Sequence, residues 1–243
     1  MNLPSASKSK LPIVVLISGN GSNLQAIIDA TMAMNSAANS THNNSAQQAL
    51  PVEIQAVISN RDDAYGLERA RKAGIHTVVL KDDNFTSREA YDQALLSTIE
   101  QYHPQLIVLA GFMRILSDEF VTHYSGKMIN IHPSLLPKFR GLNTHQRAID
   151  AGEKEHGATV HFVTPELDGG PAIVQSKLCI LPDESAEKLA ERVLALEHQI
   201  YPLAIRWIAD SKIEYKQGQV FFESKPIQEP VQYTAELNNI PAA

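Results

Sequence analysis

Apolar residues occur along this chain in short unbroken runs, separated by stretches with helical periodicity. Residues 13–17 (IVVLI) form the first run, closed by Ser18 and Gly19. A run that is apolar at every position suits a parallel strand buried on both faces. Leu24, Ile27 and Ile28 then share one face of a helix predicted to begin near Ser22. The alternation continues with a strand over 52–58, a helix over 65–72 that stops at Gly74, a strand over 77–80, a helix over 87–102 and a strand over 106–109 (LIVL). Consecutive parallel strands need crossovers, and helices supply them. The pattern predicts an α/β fold, doubly wound around a mostly parallel, Rossmann-like sheet. Such sheets bind ligands beyond the carboxyl ends of their strands. That rule directs attention to the loop after Ile17, to residues 111–116 and to the residues from Asn130 onward.

From Met128 the pattern changes. Strands are predicted over 128–131, 159–163 and 172–180, with Asp168-Gly169-Gly170-Pro171 between the last two. A long helix is expected over 185–209, with Leu189, Val193, Leu196 and Ile200 on one face and Pro202 kinking or interrupting it. Residues 213–215 and 220–222, around Gln217-Gly218, read as a closing hairpin. The expected organisation is a disordered lead over 1–11, one domain over 12–223 and a frayed tail over 224–243. Residues 35–50, rich in Asn, Ser, Ala and Gln, are expected to be a surface insert within the domain.

Composition narrows the function classes. The formal net charge is -6, which argues against a nucleic-acid-coating surface. No apolar stretch is long enough for a membrane span, and the polar start does not read as a signal peptide. Cys179 is the only cysteine, so an internal disulfide and a thiolate zinc cluster are both excluded, in keeping with a cytoplasmic setting. Among His145, His156 and His161 the spacing matches no compact metal motif, so no metal is expected. His161 is expected to be a packed core histidine or a group supporting the site from behind.

Gly19-Asn20-Gly21-Ser22-Asn23 follows a buried strand and opens a helix. Glycines let backbone N–H groups approach an anion, and the helix start adds partial positive charge. The third glycine and the acidic residue of a dinucleotide site are missing, and so is the P-loop lysine. A phosphate monoester and a plain tight turn are the two readings left. Asn130 and His132 flank Ile131 at a strand end, where alternation puts both side chains on one face. A histidine there can exchange a proton at physiological pH, and an amide beside it can donate to an oxyanion. Asp168 could reach the same pocket and orient the ring.

Taken in order, LISGNGSNL over 16–24, LAGFMRIL over 109–116, NIHPSLLP over 130–137 and DGGP over 168–171 resemble the folate-dependent phosphoribosylglycinamide formyltransferases of purine synthesis. The likeness covers residues 12–210, and the joint match is far more specific than any single motif. It implies the formyltransferase variant of the Rossmann-like fold and a catalytic trio of Asn130, His132 and Asp168. Gly21, Ser22 and Asn23 would hold the phosphate end of the acceptor, with Leu194, Ala195, Leu196 and Glu197 also facing it. Met113, Arg114, Ile115 and Leu116, together with Asn130 and with Thr164, Pro165, Glu166, Leu167 and Asp168, would line the folate pocket. Arg88 would meet the folate's acidic side. The implied co-substrate is 10-formyltetrahydrofolate, with no metal. The implied partners are small molecules, with neither nucleic acid nor membrane, in a monomer or homodimer.

The chemistry implied is direct attack of the acceptor amine on the formyl carbon, with Asn130 and protonated His132 stabilising the oxyanion and Asp168 assisting proton transfer. The insert is longer than usual for the family, and Arg140 falls in a loop where the family varies. Two related folate enzymes compete with this reading. A formyltetrahydrofolate hydrolase would carry a further N-terminal domain, and methionyl-tRNA formyltransferase a basic C-terminal one. A non-catalytic phosphate-binding α/β module is the alternative from another class.

Overall fold

The structure is a computed structural model describing residues 9–32 and 49–234. The expected lead up to residue 8, the expected insert over 35–48 and the tail from 235 lie outside the described residues, as do residues 33 and 34. The elements in chain order are β1 (Leu11–Ile17), α1 (Ser22–Met32), β2 (Val52–Ser59), α2 (Tyr65–Lys72), β3 (Thr77–Val79) and α3 (Arg88–Glu100). Then come β4 (Leu106–Leu109), α4 (Asp118–His123), β5 (Met128–His132), α5 (Thr144–Asp150), β6 (Glu155–Phe162) and β7 (Ala172–Cys179). The chain closes with α6 (Ala186–Ala209), β8 (Ile213–Lys216), β9 (Gln219–Phe222), β10 (Lys225–Pro226) and β11 (Val231–Tyr233). The main sheet runs β11-β7-β6-β5-β4-β1-β2-β3, and β8, β9 and β10 form a small second sheet. Within the main sheet only β6 runs against its neighbours, so the mostly parallel, doubly wound expectation holds.

The unbroken apolar runs follow from this layering. In β1, Ile13, Val15 and Ile17 enter one core and Val14 and Leu16 enter the other. In β4, Leu106 and Val108 divide from Ile107 and Leu109 in the same way. A strand covered by helices on both faces has no polar side to show. Helices α1, α2 and α6 cover the first face, and α3 and α4 the second.

The boundaries differ from the sequence expectations for local reasons. Ser87 and Ser185 are caps, accepting from the N–H of Ala90 and Lys188, so α3 and α6 each begin one residue later than predicted. Gly74 is left-handed at φ 72°, with Ile75 N–H returning to the Ala70 carbonyl, which ends α2 where expected. Helix α6 runs through Pro202 without interruption. Burial of Ile200, Tyr201, Ala204 and Ile205 holds the turn that proline would otherwise break. The tail is not frayed where it begins: β10 pairs β9, and β11 pairs β7 in parallel as an edge strand. Leu50, at the end of the expected surface insert, is instead buried in the core.

Candidate active site

Three carboxyl ends, of β1, β4 and β5, open onto the same edge of the sheet. Strand β5 carries Asn130 and His132 two residues apart, on one face. Antiparallel β6 places His161 opposite Asn130. The loop after β6 then returns Asp168 to this point, with the aspartate left-handed at φ 47°, a conformation uncommon outside glycine.

Asp168 Oδ2 lies 3.4 Å from His132 Nδ1 and accepts from Gly141 N–H at 2.9 Å. On the far side of the ring, His132 Nε2 lies 2.9 Å from the Phe139 carbonyl. A carbonyl can only accept, so the ring carries hydrogen on Nε2, and the Asp168 carboxylate stands beside Nδ1 where it would stabilise positive charge on the ring. His132 and Asp168 side chains are 7% and 10% exposed, so an interaction between them faces little solvent screening.

His161 is set up the opposite way. Its Nδ1 faces the Phe162 carbonyl at 2.9 Å, and its Nε2 meets the Asn130 amide nitrogen at 3.3 Å. The neutral ring with hydrogen on Nδ1 donates to the carbonyl and accepts from Asn130. Burial pushes its pKa down to about 4, which keeps that form at neutral pH. One Asn130 N–H is thereby fixed, and the amide's orientation with it. His161 therefore supports the site from behind, one of the two roles expected for it.

The glycine loop bounds a cavity of about 200 Å³ with Ala110, Gly111 and Met113. Gly21 is left-handed at φ 73°, and a Cβ there would come within 2.6 Å of the Gly66 Cα. Only glycine fits this approach of the loop to α2. Asn23 donates to the buried Glu197 carboxylate at 2.7 Å, and burial raises the Glu197 pKa. Of the predicted stretch on α6, Leu196 and Glu197 point inward and Ala195 outward.

A second cavity, of about 140 Å³, is lined by Arg114, Ile115, Leu116, Asn130 and residues 164–168. These are the predicted folate-pocket residues apart from Met113, which borders the glycine-loop cavity, and Arg88. Arg88 is exposed at the start of α3, 3.6 Å from Glu89 and outside that lining. Phe112, within the 111–116 segment, and His161 also line it, as do Val121 and Val163, which nothing in the sequence pattern singles out for it. Those two are indistinguishable from core residues by pattern alone. His145 and His156 pair with each other at 3.1 Å, and burial lowers the pKa of both. Among the described residues no cluster of His, Cys, Asp and Glu is arranged to hold a metal, and no helix is long and apolar enough to cross a membrane. Arg140 forms an ion pair with Glu166, joining the loop after β5 to the Asp168 loop.

The sequence matches the formyl transferase family over residues 11–205. It is 49% identical over 224 residues to the phosphoribosylglycinamide formyltransferase of Escherichia coli strain K12, covering 92% of this chain and 99% of that one. It is 44% identical over 215 residues to the enzyme of the same name from Haemophilus influenzae, covering 88% of this chain and 95% of the other. The fold is similar to the solved structure of phosphoribosylglycinamide formyltransferase from Coxiella burnetii, with a TM-score of 0.84, 52% identity and coverage of 93% and 100% of the two chains.

Proposed function

The chain belongs to the formyl transferase family, and from that premise we propose that it carries the formyl group of 10-formyltetrahydrofolate to the amine of 5'-phosphoribosylglycinamide in purine biosynthesis. The observation that carries the mechanism is the placing of Asn130, His132 and Asp168 beside the donor cavity, at the sheet edge that also holds the glycine loop. The folate is a co-substrate that arrives and leaves. A cytoplasmic setting goes with this reading, supported by a lone exposed Cys179.

The acceptor's phosphate sits at the backbone N–H groups of Gly21, Ser22 and Asn23, where the start of α1 favours an anion. Its amine reaches the formyl carbon of a donor held along residues 113–116 and 164–168, with Arg88 assigned to the donor's acidic end. The amine nitrogen forms a bond to the formyl carbon, and the carbonyl oxygen becomes an oxyanion. Asn130 donates its free N–H to that oxygen, and the His132 cation stabilises it by charge. His132 acts through its charge, since Nε2 is committed to the Phe139 carbonyl and the Asp168 carboxylate lies beside Nδ1. Asp168 assists movement of the amine proton, through water, to the folate nitrogen that leaves as the old carbon–nitrogen bond breaks.

The test is absorbance-monitored turnover of 10-formyltetrahydrofolate with and without glycinamide ribonucleotide. Turnover that depends on the amine, and that drops by roughly 100-fold or more in Asn130→Ala and Asp168→Ala, is the expected result. Turnover without the amine would make the protein a hydrolase, and absence of turnover would leave only the binding module.

A further inference from the structure

We propose that Ser18 is a positioning residue that holds the wall of the donor cavity against the acceptor's glycine loop, with Asn60 setting the direction of its hydroxyl. This deepens the formyl-transfer reading and rests on it. Residues 112–116, between β4 and α4, form neither helix nor strand, yet Phe112, Arg114, Ile115 and Leu116 supply the donor wall and Met113 between them borders the glycine-loop cavity. The anchors of this stretch are side chains from other elements. Met113 N–H donates to Ser18 Oγ at 2.8 Å, the Arg114 guanidinium pairs with Asp82 at 2.8 Å, and Ser117 N–H donates to Asp92 at 2.6 Å.

Ser18 is the anchor that also belongs to the acceptor side. It directly precedes Gly19 and borders the glycine-loop cavity. It is 6% exposed, and Asn60, at the end of β2, is 8% exposed. A serine hydroxyl has one hydrogen, and here it goes to Asn60 Oδ1 at 2.7 Å. That commitment turns the oxygen's lone pairs toward Met113 N–H. One oxygen atom thus joins the ends of β1, β2 and β4. Asn130, His132 and Asp168 lie on other segments and do not use it. Loss of the tether should weaken donor binding more than it slows the chemical step.

The experiment is steady-state kinetics with 10-formyl-dideazafolate and glycinamide ribonucleotide, together with equilibrium binding of the same folate analogue. Ser18→Ala and Asn60→Leu should raise the donor KM roughly 3- to 10-fold, the effect of one hydrogen bond, and leave kcat within about twofold. Ser18→Thr and Asn60→Asp keep the hydroxyl and the acceptor oxygen and should stay within about twofold of wild type. The Ser18→Ala/Asn60→Leu pair should be no worse than Ser18→Ala alone, because both act through one bond. An unchanged donor KM in Ser18→Ala overturns the proposal. So does a rise in Ser18→Thr equal to that in Ser18→Ala, which would mean bulk and not the hydroxyl matters. If Ser18→Ala fails to fold, the contrast between Asn60→Leu and Asn60→Asp decides. If wild type shows no formyl transfer, the functional reading fails, and the analogue's affinity for wild type and Ser18→Ala still judges the tether.

Discussion

Gly21 holds the glycine loop, the proposed acceptor site, in place by having no side chain. Its left-handed backbone costs a non-glycine residue roughly 1 kcal/mol, and the added carbon would strike the Gly66 backbone at 2.6 Å, where no side chain can swing aside. Gly21→Ala should therefore shift the loop off α2. The acceptor KM should rise by roughly 10-fold or more, while affinity for the folate analogue changes by less than about twofold. Steady-state kinetics varying each substrate in turn would check this. An unaltered acceptor KM would remove the glycine loop from the acceptor site. At this scale the sequence was informative where polar residues sit on strand ends: Asn130, His132 and Asp168 could be named as candidates because their residue types and positions suit the proposed reaction, and the fold brings them together. Gly66, Asn60 and the bond from Asn130 to His161 could not. Their roles come from partners distant in sequence, such as Ser18 for Asn60, 42 residues apart, and Asn130 for His161, 31 apart.

Among the elements, the strands buried on both faces were legible because a short run that is apolar at every position has no polar side to turn to water. The short elements α4, α5 and β11 were not. Each buries too few residues to impose a period on its sequence, and β11 is a strand only because the β7 edge is there to pair with it. That dependence gives a prediction. Ile227, Val231 and Tyr233 pack partly buried against the main core. Ending the chain after residue 224 should remove about 2–4 kcal/mol of stability and lower the Tm by about 5–10 °C. Thermal unfolding followed by circular dichroism would measure it. A truncated chain as stable as the full one would show that β11 merely follows the edge of β7 and contributes nothing to it.

For the molecule as a whole, buried histidines set how stability responds to acid. Burial pushes His161 and His156 from an ordinary value near 6.5 to about 4, and lowers His145 and His198 in the same direction. Asp168 opposes the shift at His161, and Glu153 opposes it at His156, but burial dominates both. Between pH 6.5 and 4 the unfolded chain binds the His161 and His156 protons and the folded one does not. Stability should therefore fall as pH drops through that window, by about 1.4 kcal/mol per pH unit for each histidine kept neutral. Glu197 works against this trend, since its raised pKa means the folded state takes up its proton first on acidification. It is one group against several, so the net slope keeps the sign of the histidines. The exposed carboxylates Asp62 and Asp63 have lowered values, so their contributions are lost only below their ordinary 3.8, outside the window. Chemical denaturation at about pH 7.5, 6.5, 5.5 and 4.5 should show a plateau above 6.5 and a decline below it, and His156→Gln should flatten part of that decline. A stability curve level from about 6.5 to 4.5 would mean that the rings gain their protons inside the folded protein, and the neutral His161 that orients Asn130 would have to be abandoned.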